Sequence, residues 1–124
     1  MSGGFGAPHW PVELKLKQAE QRLEIAFDDG ASFSLPAEYL RVESPSAEVQ
    51  GHGPGQKTLV AGKSRIGILR LEPVGNYAVR IVFDDRHDTG IFSWSYLREL
   101  GDGYAERWAA YERALVERGL SRDS

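Results

Sequence analysis

Asp84, Asp85, His87 and Asp88 form the densest group of potential metal ligands in the sequence. Carboxylate oxygens and imidazole nitrogens hold divalent metals, and a first-row metal wants three or four of them convergent. Asp85 and His87 share a side if the strand before them continues that far. Glu43 and Glu48 could add carboxylates from a long loop. The same residues also suit a plain acidic hairpin turn, since Asp favours turns, and composition favours that reading. His52 lies in Gly51-His52-Gly53-Pro54-Gly55. Those glycines lack the spacing of a phosphate-cradling loop, and no periodic helix follows them. A solvated residue in a flexible loop is the simpler reading. Trp94, Tyr96, Trp108 and Tyr111 could line a pocket for an aromatic or cationic ligand, but their helical spacing favours core packing. Arg65, Arg70, Arg80 and Arg86 alternate with acids and read as a solvated sheet face. With no nucleophile elbow, no Cys nucleophile and no P-loop, the expectation is that the protein is not an enzyme.

The elements that must position these residues are mostly strands. Val12, Leu14 and Leu16 alternate with Glu13, Lys15 and Lys17, which predicts a half-buried strand. Leu23, Ile25 and Phe27 repeat the pattern, and Asp28-Asp29-Gly30 predicts a hairpin turn. Phe33 and Leu35 lie on the return strand, and Pro36 to Leu40 reads as a helical turn. Glu43 to Lys63 is irregular and holds two prolines and several glycines. Strand chemistry resumes over 65–71, a turn is expected over Pro73 to Asn76, and Val79, Ile81 and Phe83 alternate again. Thr89 to Phe92 follows as a short strand. Ser93 is a plausible cap for a helix carrying Trp94, Leu97 and Leu100, with Gly101 as its stop. Asp102 could cap the next helix, where Tyr104, Trp108, Tyr111 and Leu115 share one face and Gly119 ends the run. Residues 1–10 read as a flexible segment, 11–119 as one domain and 120–124 as a tail. Ile25 to Arg41 also echoes Ile81 to Arg98: strand, Asp-Asp turn, strand, then Tyr-Leu-Arg in a helical turn. The echo fits two similar units or chance.

The chain has 124 residues, with 41% hydrophobic and 27% charged. That fits one globular domain able to bury a core without disulfide or metal support. A formal net charge of −3 argues against a nucleic-acid binder. No apolar run approaches the roughly 20 residues that cross a bilayer, and neither a secretory signal nor a myristoylation glycine is expected. Cysteine is absent, so a cytoplasmic protein is the default, with no membrane or nucleic-acid partner.

Tyr39 to Val49 with Gly51-His52, and Glu72 to Ala78 through Asp84 to Leu97, resemble two signatures of the gamma-butyrobetaine hydroxylase-like N-terminal domain family. The resemblance spans about Val12 to Gly101. It implies a compact α+β, β-rich domain of antiparallel hairpins, short helices and a C-terminal helix. In the hydroxylases this domain precedes an iron- and 2-oxoglutarate-dependent catalytic domain, which this sequence lacks. Similar domains occur as stand-alone bacterial proteins of unknown function or fused to P-loop ATPases carrying iron–sulfur clusters. The hydroxylase domain holds a structural zinc through three cysteines and a histidine. Those positions correspond to Ser44, Ser46, Val49 and His87, of which only the histidine is kept. The resemblance therefore implies a degenerate zinc site, no metal or other cofactor, and a structural or recognition role for His87, hydrogen-bonded back to the 44–48 loop.

Two functions follow as expectations. The first is a non-catalytic interaction module with an unknown protein partner, accessory to metal-cofactor or iron–sulfur protein maturation. The second is a metal or small-ligand sensor using His52, His87 and nearby carboxylates. Candidate ligand- or partner-binding residues are Arg41, Glu43, His52, Asp85, His87 and Trp94.

Overall fold

Each half of the chain lays down three antiparallel strands and then a helix. In the computed structural model, which describes residues 10–50 and 57–123, the first half holds β1 (Pro11–Lys17), β2 (Arg22–Phe27), β3 (Ser32–Pro36) and α1 (Ala37–Val42). A single 3-10 turn, Gln18–Glu20, joins β1 to β2. A short α2 (Ala47–Gln50) follows. The second half holds β4 (Ile68–Val74), β5 (Ala78–Phe83), β6 (Gly90–Ser93) and α3 (Trp94–Asp102), and α4 (Tyr104–Glu117) closes the chain. The sheets run in the orders β1-β2-β3 and β4-β5-β6, all neighbours antiparallel. Among the described residues the fold is thus α+β, with two small sheets and no barrel. Among the described residues, no helix is long and apolar enough to cross a membrane.

Period-two alternation builds the core. Leu23, Ile25, Phe27 and Leu35 from one sheet meet Ile68, Ile81, Phe83 and Phe92 from the other. Tyr39, Leu40, Leu97 and Leu100 fill the space from α1 and α3. Each such side chain contributes about 1.5–3 kcal/mol by leaving water. Gly119, with φ of +68°, follows the end of α4 as expected.

Several expectations need correction. Val12 does not face the core. Pro11 pairs with Phe27 and Glu13 with Ala26, so Val12 is the extra residue of a β-bulge and is 66% exposed. β4 starts later than expected and includes Pro73 and Val74; the turn is Gly75 to Tyr77. Pro73 is tolerated there because β4 is an edge strand. Gly101 does not stop a helix. It lies inside α3, where a Cβ would come within 2.7 Å of the Phe33 ring. Asp102 caps nothing: the cap of α4 is Gly103, and Asp102 accepts from Arg98. Residues 120–123 do not trail away. The Gly62 and Ser64 N–H groups donate to Ser121 and Arg122 carbonyls, and Arg122 makes a bidentate pair with Glu38.

The echo between the halves is structural. Leu69 is bulged between Ile68 and Arg70 just as Val12 is between Pro11 and Glu13. The halves also exchange matching contacts. The Tyr39 hydroxyl of α1 donates to the Leu100 carbonyl of α3 at 2.6 Å, and the Tyr96 hydroxyl of α3 donates to the Glu43 carbonyl after α1 at 2.5 Å. Arg41 pairs with Asp85 at 2.8 Å, and Arg98 pairs with Asp29 at 2.9 Å. Reciprocal contacts of this kind are what a two-fold relation between similar units produces.

Candidate functional site

The β5–β6 turn carries Asp85 and His87, and its backbone explains how they sit. The Phe83 N–H donates to the His87 carbonyl, Arg86 adopts φ of +74°, and the His87 N–H returns to Asp85 Oδ1 at 3.1 Å. This is an Asx turn, for which Asp is suited. Asp85 Oδ2 then accepts from Arg41 Nε at 2.8 Å and Lys63 Nζ at 2.6 Å. Burial acts to raise the Asp85 carboxyl, but the bonds from Lys63, Arg41 and the His87 N–H outweigh it and hold its pKa below the ordinary 3.8.

His87 is turned inward against the 44–50 loop. Its Nδ1 lies 2.9 Å from Glu48 Oε1, and its Nε2 lies 2.8 Å from Ser44 Oγ. Burial first, and then the Arg41 guanidinium, hold the imidazole below its ordinary 6.5 against the pull of Glu48 and Asp85. The ring is therefore neutral at pH 7. The network assigns its tautomer: Nδ1–H donates to Glu48, and the Ser44 hydroxyl donates to Nε2. Ser44 Oγ accepts in turn from the Ser46 N–H. Ser46 Oγ caps α2 by accepting from the Glu48 N–H and lies 2.6 Å from Thr89 Oγ1. Gln50 Nε2 donates to the Ser44 carbonyl, and Val49 is buried beneath. Gly90 makes the room: a Cβ there would come within 2.5 Å of Ser44 Oγ.

Glu48, His87 and Ser44 stand in the hydrogen-bond order of a hydrolytic triad. The order does not make a nucleophile here. Ser44 is 0% exposed and His87 3% exposed, so no substrate carbonyl can reach the hydroxyl. The cluster does not fit zinc either. The positions implied for it do converge, but two are hydroxyls and Val49 offers no donor atom. Both His87 nitrogens are already engaged. Among the described residues, no three His, Cys, Asp or Glu side chains gather to hold a metal.

The structure brings together Arg41, Asp85 and His87. Arg41 Nη1 is buried without a hydrogen-bond partner among the described residues. Glu43 lies apart, accepting from Lys57 at 2.9 Å and Arg107 at 3.1 Å. Trp94 is at the far end of β5, its Nε1 donating to the Asn76 carbonyl. His52 lies outside the described residues. Sequence reasoning missed Lys63, Thr89 and Gln50. Nothing local marks them, because each acts through a partner distant in sequence or a loop geometry. The Arg41–Asp85 pair did leave a signal, since Tyr-Leu-Arg and Phe-Asp-Asp each occur twice.

The family described as gamma-butyrobetaine hydroxylase-like, N-terminal, matches residues 14–98. No curated protein matches. Two structures solved by NMR in solution are each 44% identical to this chain. The first covers 93% of this chain and 90% of its own at a TM-score of 0.82. The second covers 96% and 91% at 0.79. A crystal structure from Acidithiobacillus ferrooxidans, described as a DUF971 family protein of unknown function, is 37% identical. It covers 73% of this chain and 91% of its own, with a TM-score of 0.62. The protein belongs to the gamma-butyrobetaine hydroxylase-like N-terminal domain family.

Proposed function

We propose that this protein is a non-catalytic interaction module, accessory to metal-cofactor or iron–sulfur protein maturation. One observation carries the non-catalytic part: the groups with chemistry to offer, Ser44, His87 and Asp85, are spent on one another and on the loop. Ser44 and His87 are sealed from solvent, and Asp85 is held by two cations and a backbone N–H. Such a knot holds the shape of the 43–50 loop and presents no reactive atom. The maturation role rests on the family's association with iron–sulfur ATPases.

The test is affinity purification from cells expressing the protein at its native level, beside a Ser44→Ala/His87→Ala variant that loosens the loop. The expected result is a reproducible partner, a metal-cofactor or iron–sulfur maturation protein, that the variant loses. Recovery of no reproducible partner would sink the proposal. Turnover in a screen with iron and 2-oxoglutarate, abolished by His87→Ala, would replace it with an enzymatic one.

A further inference from the structure

Beside Val42 and Glu43 at the end of α1, α4 and residues 57–60 line a cleft of about 380 Å³. Small-ligand pockets run from roughly 300 to 1,000 Å³. Val42, Leu59, Val60 and Tyr111 give it an apolar floor, and Ala110 and Ala114 leave the α4 wall too thin to fill it. The Tyr111 hydroxyl donates to the Val60 carbonyl at 2.6 Å, which fixes the segment to the helix beside the opening. The charged lining groups are Glu43, Lys57, Arg107 and Arg118. Glu43 is buried, and its Oε1 takes both Lys57 and Arg107, while Arg107 also pairs with Glu99 at 2.5 Å, so the charges at that end balance. At the other end, Arg118 is exposed, and its guanidinium makes no ion pair among the described residues. An apolar trough with one uncompensated cation at its end, Arg118, disfavours a cation, leaves a neutral chain unanchored, and matches an anion with an apolar body.

We propose that this cleft binds a small amphipathic anion, an apolar chain or ring ending in a carboxylate or phosphate. The head pairs with Arg118 and the body lies over Ala114 and Ala110. This proposal stands or falls independently of the interaction module.

The experiment is an amide NMR titration of the whole chain with octanoate, octyl phosphate, 1-octanol and octylammonium. Octanoate or octyl phosphate should shift the amides of α4 and of residues 57–60 saturably, and the tighter of the two identifies the head. Arg118→Glu, an exposed change that leaves the core untouched, should weaken that binding about tenfold, the loss of one charge-assisted contact. Ala114→Phe, which fills the trough, should abolish it. Absence of saturable shifts with either anion overturns the proposal. So does equal binding of octylammonium, or unchanged affinity in both variants.

Discussion

At the β2–β3 turn the Phe27 N–H donates to the Ala31 carbonyl, Gly30 takes φ of +93°, and the Ala31 N–H returns to Asp29. At the β5–β6 turn the same three features recur with Phe83, His87, Arg86 and Asp85. The surroundings then part. In the first half Phe33 lies over Gly101, and Arg98 lies 5.3 Å from the Phe27 ring and 5.7 Å from the Phe33 ring. In the second half Gly90 stands at the position of Phe33, and Ser44 at that of Gly101. The volume one half gives to a phenyl ring, the other gives to His87, Ser44 and the loop they hold. The shared plan builds the scaffold, and the departures from it build the candidate site.

The largest test of that contrast is His87→Ala, which puts the residue type of Ala31 into the second turn. It removes a buried ring and leaves the Ser44 O–H without an acceptor, although Ser44 Oγ keeps the Ser46 N–H, at an expected cost of about 2–4 kcal/mol in urea unfolding. Adding Ser44→Ala should cost about 1 kcal/mol less than additivity, because the orphaned hydroxyl goes too. A cost under about 1 kcal/mol for His87→Ala would mean the knot contributes little to holding the second half together.

The reciprocal ion pairs come next. Asp85 is 18% exposed and serves two cations, while Asp29 is 40% exposed. Asp85→Ala leaves Arg41 and Lys63 facing each other in a half-buried site, at about 2–3 kcal/mol. Asp29→Ala removes a more solvated partner from Arg98, which keeps Asp102, and should cost under about 1 kcal/mol. Equal losses in thermal or urea unfolding would show that the halves carry the same electrostatic load.

These contrasts were partly legible in the sequence. Alternation located Leu23, Ile25 and Phe27, and the doubled Asp-Asp turns and Tyr-Leu-Arg segments marked the two units. Alternation failed at Val12 because a bulge inserts one residue without changing residue type. Gly101 looked like a helix stop because the reason for it, the Phe33 ring, comes from the other half. The approach of His87 to Ser44 and Glu48 was implied by the resemblance alone. Spacing within the chain cannot bring a turn and a distant loop together. Lys63 and Thr89 are ordinary residues whose partners only the folded register supplies.

A pH series sharpens the comparison further, because the first turn has no titrating counterpart of His87. A histidine whose folded pKa lies below 6.5 binds its proton more readily when unfolded. Its contribution is fully present above pH 6.5 and is lost as pH falls toward the lower folded value, by at most about 1.4 kcal/mol per pH unit. His87→Gln should flatten that slope between pH 7.5 and 5.5 in urea midpoints, relative to wild type. Identical slopes would place the acid sensitivity elsewhere.

The smallest effect concerns the residue that lets each turn close. Gly30 and Arg86 both need positive φ, at +93° and +74°. Glycine adopts it freely, whereas a side chain crowds its own carbonyl by about 1–2 kcal/mol. Arg86→Gly should therefore stabilise the protein by up to about 1 kcal/mol, the remainder being lost to the greater freedom of the unfolded glycine. Gly30→Ala should destabilise it by a similar amount, since no atom lies within 4 Å of the added methyl and backbone strain acts alone. Should Arg86→Gly destabilise, the arginine side chain must contribute more than its strained backbone costs. That would move Arg86 from the shared scaffold into the part of the second turn that sets it apart.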